Sequence, residues 1–167
     1  MAESSLRASR PVRRGGLSNA LFLVAAAELP PTELSGIAEE LTINFPWGSL
    51  LRGTLGLDHA AAAGIAGLMK PGGCSHSLVS ISDRDGLGLA PLTDEDRGSL
   101  AERWSSHGLD LMCFRPATTT EIEATGSTWA KRLGAGSAGG AGSVGGAGGA
   151  GAGRLAWRLD LQRNGRA

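Results

Sequence analysis

Leu41-Thr42-Ile43-Asn44-Phe45-Pro46-Trp47-Gly48-Ser49 runs as an extended apolar stretch and then halts at Pro-Trp-Gly. A strand over residues 41–45 that ends this way leaves a large flat indole at its carboxyl edge. In open α/β sheets that edge is where ligands bind. An aromatic there, in a chain with basic clusters and further tryptophans, suggests a platform for stacking a base.

Upstream of this stretch, Thr32 is placed to cap a short helix reaching about Glu40, with Glu33 in its first turn. Pro30 and Pro31 separate that helix from residues 21–26, Leu-Phe-Leu-Val-Ala-Ala, a continuous apolar run of the kind expected for a strand buried on both faces. Arg13-Arg14 before this run also imitate a secretory signal, but the run begins far inside the chain and reads better as a strand. Residues 10–16 form a basic loop, and residues 1–9 read as a helical end.

Downstream the pattern becomes helical from Ser49, with Leu50, Leu51, Leu55, Ile65, Leu68 and Met69 as its apolar members and an interruption at Gly56-Leu57-Asp58. Lys70-Pro71-Gly72-Gly73 reads as a stop signal. A strand follows over 74–81. Thr93-Asp94 open a helix that includes Leu100 and Trp104 and ends at Gly108, and residues 109–114 form the next strand. Thr118-Thr119-Thr120-Glu121 is a capping start for a helical segment reaching Leu133. Residues 155–161 alternate as a half-exposed strand should. The alternation of strands and helices implies an α/β, Rossmann-like fold: a mostly parallel sheet with helices on both faces. The last strand, reached through a helical linker, is expected to run antiparallel.

Residues 134–153 are almost wholly Gly, Ala and Ser. A GxGxxG match at Gly134, Gly136 and Gly139 falls inside this tract, with no strand leading into it and no helix following, so it reads as a flexible insert. The expected organisation is a main body over 1–133, an insert over 134–153 and a final strand of the same domain over 154–167.

Sixteen basic and sixteen acidic residues balance, so bulk charge gives no nucleic-acid signal. Their distribution does: Arg10, Arg13 and Arg14 near the start, and Lys131, Arg132, Arg154 and Arg158 near the end, are candidates for phosphate contacts. Cys74 and Cys113 follow no paired spacing, and His59, His76 and His107 show no ligand spacing, so no metal site is expected. No apolar run is long enough to span a bilayer.

Four segments occur in one order: Gly15-Gly16-Leu17-Ser18-Asn19-Ala20-Leu21-Phe22, Ala26-Ala27-Glu28, Phe45-Pro46-Trp47-Gly48-Ser49-Leu50-Leu51-Arg52-Gly53 and Ser127-Thr128-Trp129-Ala130-Lys131-Arg132-Leu133. Together they resemble the kanamycin–apramycin type of aminoglycoside-resistance 16S rRNA methyltransferases. That resemblance implies a class I S-adenosylmethionine (SAM)-dependent methyltransferase fold and methylation of adenine 1408 at N1 in the ribosomal decoding site. It implies a swung-out base held between Trp47 and Trp129, with backbone groups near Phe45 and Pro46 at the base edge and Ser127 nearby. It places Glu28, with Ala27 and Ser49, beside SAM. Trp104, on an amphipathic helix, and Trp157, in a strand, are left as packing residues.

The family fold starts with a strand and a Gly-rich turn, followed by a strand ending in an acidic residue that binds the SAM ribose. Neither motif is present in this sequence. The resemblance therefore implies the carboxyl-terminal part of such an enzyme, truncated or with its start misplaced, and weak or absent SAM binding. The expected partner is 16S rRNA in the assembled small ribosomal subunit, met by a cytoplasmic monomer with no membrane contact. The alternatives are a noncatalytic rRNA-binding remnant and a nonfunctional fragment with an exposed sheet edge.

Overall fold

The computed structural model describes residues 10–128 and 154–165. Four strands form one sheet: β1 (Ala38–Asn44), β2 (Met69–Val79), β3 (Leu109–Pro116) and β4 (Trp157–Arg163), in the order β1-β2-β4-β3. β1 and β2 are parallel, and β4 lies antiparallel between β2 and β3. Three strands therefore point one way, and the last strand is reversed as its position after the linker led us to expect.

The helices bounded within the described residues are α1 (Gly48–Thr54), α2 (His59–Leu68), α3 (Arg97–Ser105) and α4 (Thr119–Ala124). Side chains alternate across a strand, and the two faces receive different helices. Ile43, Val79, Leu159 and Leu161 join Leu51, Leu55, Ile65, Leu100 and Trp104 in one apolar cluster under α1, α2 and α3. Leu78, one residue from Val79, faces the other way and packs with Ile122 of α4. Phe114 stacks on Trp157 at 4.6 Å between ring centroids, nearly parallel.

Local signals account for the helix boundaries. α1 ends before Gly56, whose φ of 66° is left-handed. Asp58 then caps α2 by accepting the Ala61 N–H at 3.1 Å. Thr93 and Thr118 each open a capping box, with Asp96 and Glu121 as the returning carboxylates.

Several expectations fail for physical reasons. Residues 21–26 form no strand: Leu21 is 80% and Val24 90% exposed. A strand buried on both faces needs ladder partners, and among the described residues this run has none. The helix expected from Thr32 to Glu40 is one 3-10 turn, Thr32–Leu34. Gly36, at φ 66°, breaks it, and Ala38–Glu40 already belong to β1. Lys70-Pro71-Gly72-Gly73 does not stop before a strand but lies within β2, as a bulge opposite the single residue Glu39. A Cβ on Gly73 would come within 2.8 Å of the Ala38 carbonyl oxygen, which explains a glycine there. The helix expected to reach Leu133 breaks after Ala124, with Gly126 left-handed behind it, and residues 129–133 of that expectation lie outside the described residues. The 134–153 tract and the 1–9 segment lie outside the described residues.

Candidate base-binding site

β1 ends in a sharp re-aiming of the chain. Phe45 adopts φ 50°, the positive-φ non-glycine residue among those described. That conformation costs a side-chain-bearing residue roughly 1–2 kcal/mol. Burial offsets the cost: the Phe45 ring is 7% exposed among Leu78, Ile122 and Ala156, and its N–H donates to the Leu78 carbonyl at 2.7 Å. Pro46 is buried as well. Trp47 then emerges extended, at φ −135° and ψ 159°, as the residue preceding α1, and is 50% exposed. By contrast Trp104 is fully buried, donating from Nε1 to the Thr54 carbonyl at 3.2 Å, and Trp157 is 4% exposed. The structure thus separates one exposed indole, Trp47, from two packing indoles.

Beside this turn lies a cleft of about 500 Å³, lined by Glu40, Thr42 and Asn44 of β1, His76 and Leu78 of β2, Arg158 and Asp160 of β4, and Glu121, Ala124 and Thr125. Its floor is a chain of charges. His76 Nδ1 lies 3.0 Å from Asp160, Arg158 Nε donates to Asp160 at 2.8 Å, and the other end of Arg158 reaches Glu121 at 2.5 Å. Arg115 adds two hydrogen bonds to Glu121, at 2.9 and 2.6 Å. The Arg115 guanidinium, with help from Arg158 and the Thr118 N–H, holds the Glu121 carboxyl well below the usual carboxylate range against the opposing effect of burial.

The candidate residues divide accordingly. Phe45, Pro46 and Trp47 form one turn, and Ser127 follows the end of α4, whose Ile122 belongs to the same buried cluster as Phe45. Trp129, Lys131 and Arg132 lie outside the described residues. Arg10, Arg13 and Arg14 are exposed around the 3-10 turn Val12–Arg14, with no ion pair to another described residue. Arg154 and Arg158 are otherwise engaged. Arg154 has a nearly buried guanidinium bound to Asp85 and to the hydroxyl and carbonyl of Ser80, and Arg158 bridges Asp160 and Glu121. Both guanidinia are thus paired within the protein, which gives each a structural task. Asn44 and Thr125 escaped the sequence reading. Strict alternation along β1 does place Asn44 on one face with Glu40 and Thr42, but nothing in the sequence singles out Thr125.

Of the residues expected at SAM, Glu28 is half-buried with no hydrogen bond to another described residue, and Ser49 is exposed in the first turn of α1. Ala27 lies against α2, where a Cβ on Gly64 would fall 1.8 Å from its carbonyl oxygen. These residues offer acceptors and a hydroxyl for the adenosine end of a cofactor. The described residues include no strand running into a Gly-rich turn and helix to enclose the methionine end. The fit is partial.

A reversed last strand inserted into an otherwise parallel sheet, with an aromatic site at the carboxyl edge, places the molecule among the class I methyltransferase folds. Solved structures agree. A 16S rRNA (adenine(1408)-N(1))-methyltransferase from Catenulisporales acidiphilia, in a tryptophan-to-alanine form solved with cosubstrate SAM, matches with a TM-score of 0.76 and 26% identity, over 98% of this chain and 70% of that one. An aminoglycoside resistance methyltransferase matches at 0.66 and 32% identity, over 96% and 68%. Among curated proteins, the 16S rRNA (adenine(1408)-N(1))-methyltransferase of Streptoalloteichus tenebrarius is 34% identical over 142 residues, 80% of this chain and 64% of its own length. The enzyme of that name from Escherichia coli is 30% identical over 135 residues, 74% and 60%. Residues 1–143 match the family model NpmA, described as 16S rRNA (adenine(1408)-N(1))-methyltransferase, and the chain belongs to that family. The match covers less than two thirds of the length of these curated relatives, 64% and 60%.

Proposed function

We propose that this site takes up adenine 1408 of 16S rRNA, in the assembled small ribosomal subunit, for SAM-dependent methylation at N1 that confers aminoglycoside resistance. The observation that carries the proposal is Trp47: a half-exposed indole held out by two buried neighbours at the carboxyl edge of the sheet. A base inside an RNA helix must be extruded before its N1 can be reached, and lost stacking must be replaced. One aromatic face is worth about 1–3 kcal/mol per base. Trp129 is the proposed second face. Arg10, Arg13 and Arg14, with Lys131 and Arg132, are proposed to hold phosphates, which positions the protein without reading sequence.

SAM, when bound, supplies an electrophilic sulfonium methyl group. Adenine N1 carries a lone pair at neutral pH, so the chain's task is alignment, not proton removal. The turn at Phe45 and Pro46 presents rigid backbone to the base edge, Ser127 offers a hydroxyl beside it, and Glu28 with Ser49 faces the adenosine end. The partial fit to SAM favours a second reading, a protein that stacks the base without transferring a methyl group.

The two readings part in one experiment. Small ribosomal subunits incubated with the protein and SAM are probed by primer extension for a block at position 1408, and calorimetry measures SAM binding. Transfer gives a block that Trp47→Ala abolishes. Binding without transfer gives no block and no measurable SAM affinity. A full block with Trp47→Ala removes the stacking role altogether.

A further inference from the structure

The first half of the site, the Phe45–Trp47 turn, ends β1. The second, the segment beginning at Ser127, lies more than seventy residues later and follows a helix of only six residues. Something must hold the two in register. We infer that Thr125 is a positioning residue that ties the Ser127 segment to the Trp47 turn through Ile122; this inference rests on the base-stacking site proposed above.

The connection is continuous. The Thr125 hydroxyl donates to the Ile122 carbonyl at 2.7 Å and accepts the Ser127 N–H at 3.1 Å. It thereby fixes the turn in which Gly126 is left-handed. The Ile122 side chain, 5% exposed, packs in the same small cluster as the Phe45 ring. The neighbouring Glu121 pins the opposite flank of α4 to β3 and β4 through Arg115 and Arg158. One hydroxyl thus links the end of α4 to Ser127. Thr125 also borders the cleft beside Asn44 and Leu78, so its position is set against the same edge as the turn. A hydroxyl with both a donor and an acceptor role cannot be replaced by an isosteric methyl without losing its bond from the Ser127 N–H.

Dimethyl sulfate attacks N1 of an accessible adenine, so shielding of position 1408 on small ribosomal subunits reports a base held in the site, while co-sedimentation reports binding alone. The wild-type chain and its Thr125→Val, Thr125→Ser and Trp47→Ala variants are compared, with thermal melting of each as the folding control. The wild type shields N1 and Trp47→Ala does not. Thr125→Val co-sediments as the wild type does but needs about fivefold more protein for half-shielding, the effect of one hydrogen bond. Thr125→Ser, which keeps the hydroxyl, restores shielding. Shielding by Thr125→Val equal to wild type overturns the inference and leaves the stacking site standing, as does failure of Thr125→Ser to restore it when both variants melt normally. No shielding by the wild type overturns the stacking site itself, and the inference with it.

Discussion

On one face of the sheet, Ile43, Val79, Leu159 and Leu161 close against Leu51, Ile65, Leu100 and Trp104. On the other, Thr42, His76, Arg158 and Asp160 look into an open cleft with α4 along its rim. The first face removes apolar area from water, at about 25 cal/mol for each Å². The second keeps its charged groups paired with one another and its cleft accessible. Stability and binding are therefore assigned to opposite sides of the same four strands, and the turn at Phe45 lies between them. Its strain is held by a buried ring while its next neighbour but one projects outward.

Truncating the closed face is expected to produce the largest effect. Trp104→Ala removes a fully buried indole and its hydrogen bond to Thr54. A loss of about 3–5 kcal/mol is expected, enough to leave little folded protein in a domain of this size. Urea titration followed by circular dichroism measures it. A loss below about 1 kcal/mol would mean that stability is not concentrated under α1–α3.

The open face predicts a smaller change. Arg158→Met cuts the charge chain at its middle, but Asp160 keeps His76 and Glu121 keeps Arg115. Because the guanidinium is partly solvated and no carboxylate is stranded, the expected loss is about 1 kcal/mol at neutral pH. Glu121 has a depressed pKa in the folded state, so its carboxyl stays ionised in the folded protein throughout mild acid. The loss should therefore be similar at pH 7 and pH 5 but smaller in high salt, which screens a partly solvated pair. An equal loss at low and high salt would show that Arg158 acts through packing, not through charge.

How much of this was legible in the sequence depends on the range of the forces involved. The strand ends at Pro46, the caps at Thr93 and Thr118, the break at Gly56 and the buried fates of Trp104 and Trp157 follow from local chemistry, and the sequence shows them. So does the exposed Trp47, because proline and glycine on either side of it forbid a strand interior. Residues 21–26 misled because an apolar run states only a preference for burial, not whether a partner strand is at hand. Lys70–Gly73 misled because glycine and proline permit a bulge as readily as a stop. Arg154 and Arg158 look like surface cations until Asp85, Glu121 and Asp160 arrive from 37 to 69 residues away or from the same strand. The hydroxyl of Thr125 acquires meaning only when Ile122 and Ser127 are fixed around it.

The closed face also contains a titratable flaw, which gives the smallest and most discriminating effect. His107 follows α3, its ring 5.9 Å from Trp104 and 5.5 Å from His59, and its Nε2 is buried without a hydrogen-bond partner among the described residues. Burial, then repulsion from His59, pushes its pKa below the ordinary 6.5. The unfolded chain takes up a proton near pH 6.5 while the folded chain still resists it, so stability falls as pH drops from 7.5 through 6.5 toward the folded value. His107→Leu removes both the titration and the unpaired nitrogen. Melting curves between pH 7.5 and 5.5 should slope downward for the wild type and lie flatter for the variant. The interval stays above the range where Glu121 and Asp85 begin to protonate, which keeps the open face out of the measurement. A variant whose slope matches the wild type would place the titrating group elsewhere and remove the pH sensitivity from the closed face.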